Sequence, residues 1–201
     1  MEISAELVKQ LRAKTGAGIL DCRNALKEAD GDLEKAFDNL RKMGIAKADI
    51  KSSRDAHEGA VLSYIHPGNK LGVLLEINCE TDFVARTDEF LDLAKEVSMQ
   101  IAASNPISVT RDEIPEELAK REREVHAGSK DLKGKPENMI DKIIDGKMDK
   151  WYKQVCLMEQ AYIKEPSQTI SDVIKASVGV MGENITINRF TRFQLGENSE
   201  A

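Results

Sequence analysis

Apolar positions in the first 44 residues fall into three short helical registers. Ile3, Leu7, Val8 and Leu11 recur at the spacing that lines side chains along one helix face, with Ser4 placed as N-cap and Gly16 just past the end. A second stripe, Ile19, Cys22, Ala25, Leu26 and Ala29, closes at Asp30-Gly31. Asp32 then caps a third helix with Leu33, Ala36, Phe37 and Leu40 inward, and Gly44 is its expected end. Large apolar groups thin out in "IAKADIKSSRDAHE", residues 45–58, which reads as a linker that can itself be helical. The period then changes. "GAVLSYIH" and "LGVLLEINC" flank Pro67-Gly68-Asn69-Lys70, a preset φ followed by residues that tolerate positive φ, and together these predict a β-hairpin.

Beyond the hairpin the helical period returns. Thr87 and Asp88 open a helix with Phe90, Leu91, Ala94, Val97 and Ile101 on one face and Pro106 after it, suited to cover one face of the sheet. Charged amphipathic helices are expected at 116–127, 137–145 and 148–155, and Ser167 or Thr169 caps another through Ser177. In the last apolar segment, "ENITINRFTRFQLG", the positions Ile185, Ile187, Phe190, Phe193 and Leu195 change phase near Arg189, which implies a bulge or a strand covered on both faces. The fold class is α+β, with helices segregated from a small, mainly antiparallel sheet. It divides into a three-helix module at 1–44, a linker at 45–58 and an α+β core at 59–201. A module of that size has so small a core that it is expected to lean on a partner.

Composition narrows the chemistry. The 201 residues carry a net charge of −6, which argues against phosphate-driven nucleic-acid binding as the main activity. No apolar run approaches the roughly 18 residues of a membrane span, and "MEISAELVKQ" lacks a signal-peptide layout, so a cytosolic protein is expected. Cys22, Cys79 and Cys156 are widely spaced with no CxxC pair, and are read as reduced, mostly buried thiols. His57, His66 and His126 are scattered and read as surface residues, so neither a metal site nor a catalytic base is indicated. There is no phosphate loop, and "TGAGIL" follows a helix where a dinucleotide fingerprint needs a strand. An enzyme using Cys79 would be the best catalytic candidate, yet nothing supplies its base.

Two segments are more particular. "LRAKTGAGILDCRNAL", residues 11–26, joins two helices through Thr15-Gly16-Ala17-Gly18 with so little bulk that another surface can approach the backbone, although a tight interhelical turn accounts for the same pattern. "EINCETDFVAR", residues 76–86, sets Phe83 among Asn78, Glu80, Thr81, Asp82 and Arg86 at a strand exit. Together they resemble the two signature motifs of the elongation factor Ts family, nucleotide-exchange factors for the translation GTPase elongation factor Tu. The similarity continues in order through "KMGIAKADIKSSRDAHEGAV", "KPENMIDKIIDGKMDKWYKQVCLMEQAYIKEPSQTISDVI" and "ITINRFTRFQLGE". Arg23 stands where the family most often has lysine, keeping the charge with a different donor geometry.

The resemblance implies that the first domain has the ubiquitin-associated-like fold and docks on the GTPase through Thr15, Gly16, Ala17, Gly18, Ile19, Leu20 and Arg23. It implies a wedge, Thr81, Asp82, Phe83 and Val84, that enters beside the partner's magnesium and phosphates and promotes GDP release. No covalent chemistry, cofactor, metal, nucleic acid or membrane is involved on this reading. The length matches the family's short form, in which two copies can pair through the 59–201 core. Two rivals stand beside it: a three-helix module for ubiquitin-like partners with the rest as scaffold, and the Cys79 enzyme.

Overall fold

The computed structural model describes residues 3–132 and 134–197. It begins with α1 (Ala5–Thr15), α2 (Ile19–Glu28) and α3 (Leu33–Lys51). The Ser4 hydroxyl accepts the Leu7 N–H at 3.3 Å, and Gly16, at φ 66°, closes α1 with its N–H on the Arg12 carbonyl. The left-handed turn is one that glycine enters without a Cβ penalty. Asp32 accepts the Glu34 and Lys35 N–H groups at 3.0 and 3.1 Å and so caps α3. Leu11, Cys22, Ala25, Leu26, Ala29, Ala36 and Leu40 form the helical core, flanked by Ile3, Leu7, Val8, Ala17 and Leu33.

Three local expectations are corrected. Ile19 and Phe37, placed inward by their spacing, are exposed, because the small core is already filled by residues one turn further along each helix. Gly44 does not end α3, which runs on to Lys51. A Cβ on Gly179 would sit 2.9 Å from the Gly44 Cα, so the two backbones approach closely and it is Gly179 that this approach requires to be glycine, whereas a Cβ on Gly44 would meet nothing within 4 Å.

The hairpin is β1 (Glu58–Ile65) and β2 (Leu71–Cys79), turned through Gly68 at φ 96° and Asn69 at φ 56° and closed by the His66 N–H on the Leu71 carbonyl at 2.9 Å. Along β2, Val73, Leu75, Ile77 and Cys79 are buried in strict alternation with more exposed neighbours. One helical turn, α4 (Asp82–Ala85), precedes α5 (Asp88–Ser104), which buries Phe90, Ala94, Val97 and Ile101 as expected while Leu91 is exposed. α6 (Glu116–Ala127) keeps its predicted bounds. The two helices expected next are one, α7 (Glu137–Val155), continuous through Gly146. Its apolar stripe of Ile140, Ile143, Ile144, Met148, Trp151 and Tyr152 runs across the glycine, and that burial outweighs the ~1 kcal/mol helix penalty.

A two-stranded antiparallel pair that the pattern did not announce, β3 (Ala161–Tyr162) and β4 (Glu165–Thr169), leads into α8 (Ile170–Met181), longer than expected and followed by Gly182 at φ 80°. β5 (Ile185–Gln194) completes a three-stranded sheet in the order β1-β2-β5. It runs antiparallel to β2: the Asn184 N–H reaches Glu80 beyond the end of β2, while the Leu195 N–H reaches the Lys70 carbonyl ahead of its start. Burial along β5 shifts phase between Ile187 and Phe190, near Arg189 as expected, but Phe193 and Leu195 are exposed, so one face is open. The architecture is α+β. The chain divides into two compact units, one holding the chain up to Val61 with Glu76–Ala94 and Asp172–Ile187, the other holding Leu62–Leu75, Lys95–Ser171 and the chain from Asn188 onward.

Candidate functional site

Both sequence-predicted patches lie in the first of these units. As β2 ends, the Cys79 thiol donates to the Thr81 carbonyl at 3.1 Å. Thr81 is extended at φ −131° and becomes the N-cap of α4, its hydroxyl oxygen accepting the Val84 N–H at 3.4 Å. Thr87 closes the other end, donating its hydroxyl to the Val84 carbonyl at 2.8 Å and accepting the Phe90 N–H at 3.3 Å. Between these two braces Phe83 is 79% exposed, whereas Ala85 is buried. Asp82 pairs with Arg86 at 2.7 Å one turn on, at the surface. A rigid turn therefore holds an aromatic side chain in solvent, where a folding core gains nothing from it.

The turn is also held from far along the chain, by residues that the sequence reading missed. Thr81 gives both its N–H (3.0 Å) and its hydroxyl proton (2.7 Å) to the Glu183 carboxylate. Neighbouring Glu80 accepts the Asn184 N–H at 2.7 Å and lies 3.5 Å from Arg54, whose carbonyl accepts from the Asn184 amide at 2.7 Å. One signal was available: Glu183 is an acid directly after the C-terminal end of α8, where the helix dipole disfavours it and no basic residue occupies the last turn.

In the N-terminal patch the side-chain hydrogen bonds at the turn are local. The Thr15 hydroxyl donates to the Leu11 carbonyl at 2.8 Å and accepts the Ala17 N–H at 3.2 Å, and the Cys22 thiol faces the Ala17 carbonyl at 3.7 Å. Gly16 and Gly18 are exposed, and Ile19 and Leu20 are 58% and 73% exposed at the start of α2. A shallow groove of about 580 Å³ runs beside them, with Ile3, Val8 and Ile19 apolar and Lys9, Arg12 and Arg23 cationic. Its chemistry suits an apolar ridge flanked by acids. Both patches attach to the C-terminal end of α8: a Cβ on Gly16 would lie 3.3 Å from Val180, and Glu183 braces Thr81.

Residues 23–197 match the family described as Elongation factor TS. The chain belongs to the elongation factor Ts family. Proteins named elongation factor Ts are similar over nearly its whole length. One from Desulfosudis oleivorans is 54% identical over 195 residues, covering 97% of this chain and 98% of its own. Another from Thermoanaerobacter is 50% identical, covering 98% and 97%. A third from Thermotoga petrophila is 49% identical over 200 residues, 100% of each chain. All three cysteines are free and buried. Burial, and then the Glu183 charge, push the Cys79 thiol above its ordinary value. Among the described residues no cluster of His, Cys, Asp and Glu is arranged for a metal, and no helix is long and apolar enough to cross a membrane. His57 and His66 are exposed, while His126 is half-buried with its Nε2 3.3 Å from Glu122.

Proposed function

We propose that this chain is a guanine nucleotide exchange factor that binds elongation factor Tu and promotes GDP release by disturbing its magnesium and phosphate site, with Thr81, Asp82, Phe83 and Val84 as the wedge. The observation that carries this reading is Phe83, 79% exposed on a turn braced at both ends. A turn braced in advance loses little backbone entropy on insertion, so more of the Phe83 burial energy reaches the complex. A fully buried Phe contributes about 1.5–3 kcal/mol, equivalent to roughly tenfold to a hundredfold if it favours only the opened partner. Linkage then requires nucleotide to weaken the factor's binding by the same ratio. One wedge is too small for a large coupling, so docking must add to it.

Docking is assigned to residues 1–44, in the ubiquitin-associated-like arrangement, through Thr15, Gly16, Ala17, Gly18, Ile19, Leu20 and Arg23. Support comes from the exposed Ile19 and Leu20 beside a groove rimmed by cations. Residues 45–58 connect this domain to the 59–201 core, and two copies pair through that core, where Phe193 and Leu195 lie uncovered. A monomeric mass by light scattering across micromolar concentrations would exclude the pairing. The factor acts in the cytoplasm without cofactor, covalent chemistry or direct nucleic-acid contact. A cysteine-enzyme role fits poorly with Cys79, which is buried and holds its proton on the Thr81 carbonyl. The deciding experiment is release of fluorescent GDP from elongation factor Tu with and without the chain. Acceleration that saturates with factor concentration is expected, and an unchanged release rate at high factor would reject the function.

A further inference from the structure

Among the described residues Glu183 is the long-range partner of the wedge turn, and its position is itself fixed on both sides. The Gly182 carbonyl before it accepts from the Lys51 ammonium at 2.5 Å, and Asn184 after it is held by Glu80 and by the Arg54 carbonyl. A threonine hydroxyl has one proton. Committing that proton to Glu183 at 2.7 Å turns the oxygen lone pairs toward the Val84 N–H, which is the contact that caps α4. The second carboxylate oxygen takes the Thr81 N–H, so one acid sets both the backbone and the rotamer of the residue from which the wedge starts. The sign of the charge supports the same role. It is unfavourable at the C-terminal end of α8, and the two Thr81 donors compensate it.

We propose that Glu183 is a positioning residue for nucleotide exchange: by clamping Thr81 it aims Phe83, without touching the partner's reacting groups itself. This rests on Phe83 being the wedge. A side chain that only stabilised the fold would change the amount of folded factor; one that aims the wedge changes the limiting rate at saturating factor while docking is preserved.

The test is GDP release from elongation factor Tu as a function of factor concentration, with melting curves on the same preparations. Glu183→Gln offers an acceptor to only one of the two Thr81 donors. It is expected to lower the maximal release rate about tenfold and to leave the half-saturating concentration within about twofold. Thr81→Val, which removes the hydroxyl, should lower the maximal rate to a similar extent. The double variant Glu183→Ala/Thr81→Val should be no worse than Glu183→Ala alone, since loss of the carboxylate already removes the contact to the hydroxyl. An unchanged maximal rate in Glu183→Gln overturns the positioning role, as do losses that multiply in the double variant. A rate loss that merely follows lost folded protein, with Thr81→Val at full rate, assigns Glu183 to stability and overturns it too. No acceleration by the unaltered chain would sink the exchange reading itself, which separates that failure from this one.

Discussion

Phe83 and Leu20 are almost equally exposed, at 79% and 73%, yet the chain holds them outward by different means. At the turn before Leu20 the side-chain hydrogen bonds among Leu11, Thr15, Ala17 and Cys22 join residues within seven positions of one another. Around Phe83 the cap is local, but the group that orients it, Glu183, lies 102 residues away. Local bracing survives wherever the helices form. Long-range bracing exists only after the strands and α8 are in place, and it ties the direction of the side chain to the whole unit. A docking surface needs the first kind. A wedge that must enter a partner at a fixed angle benefits from the second.

The strongest way to break this comparison is to remove the two side chains in turn. Phe83→Ala should lower stimulated GDP release at least about tenfold, the equivalent of 1.4 kcal/mol. Its melting temperature should hardly move, because a core phenylalanine would cost ~3–5 kcal/mol and this one is in solvent. A large drop in melting temperature with normal exchange would show that Phe83 belongs to the core after all. Leu20→Ala should raise the half-saturating factor concentration roughly fivefold, in line with a contact of about 1 kcal/mol, and leave the maximal rate intact. A fall in maximal rate instead would erase the distinction between docking and wedge.

Asp82→Ala is expected to cost less, about threefold or under in release rate, since its pairing with Arg86 is an exposed one of the kind worth ~0.2–1 kcal/mol. The smallest effect concerns alkaline pH. Burial raises the Cys79 and Cys156 thiols, and burial together with Glu96 raises Tyr162. Their protons stay on in the folded chain where the unfolded chain releases them. The stability they contribute is therefore complete below the ordinary thiol value of about 8.5 and is lost as pH climbs past it. Melting temperature measured on the alkaline side should decline accordingly; a flat profile up to the titration of tyrosine would contradict the burial of these groups.

Much of the local architecture is legible in the sequence because short-range chemistry decides it. Ser4 and Asp32 cap the helices that follow them, Gly16 turns left-handed, and Gly68-Asn69 closes the hairpin, each through contacts within a few residues. The alternation along β2 identifies its buried face for the same reason. The order of motifs likewise points to the elongation factor Ts family, because they lie in continuous stretches of chain.

What tertiary structure decided lies where a local preference is weak and a distant partner outweighs it. Gly44 and Gly146 read as helix ends, yet each costs its helix only ~1 kcal/mol. Close packing on Gly179 carries α3 past the first, and a continuous apolar stripe carries α7 past the second. Ile19 and Phe37 have core-like spacing, but a three-helix core has room for few side chains and takes Leu11, Leu26 and Leu40. The bracing of Thr81 by Glu183 has no local precursor. A carboxylate finds its donors across the fold only when β2, α4 and the end of α8 have been brought together, so the aim of Phe83 is a property of the folded unit and its exposure a property of the motif.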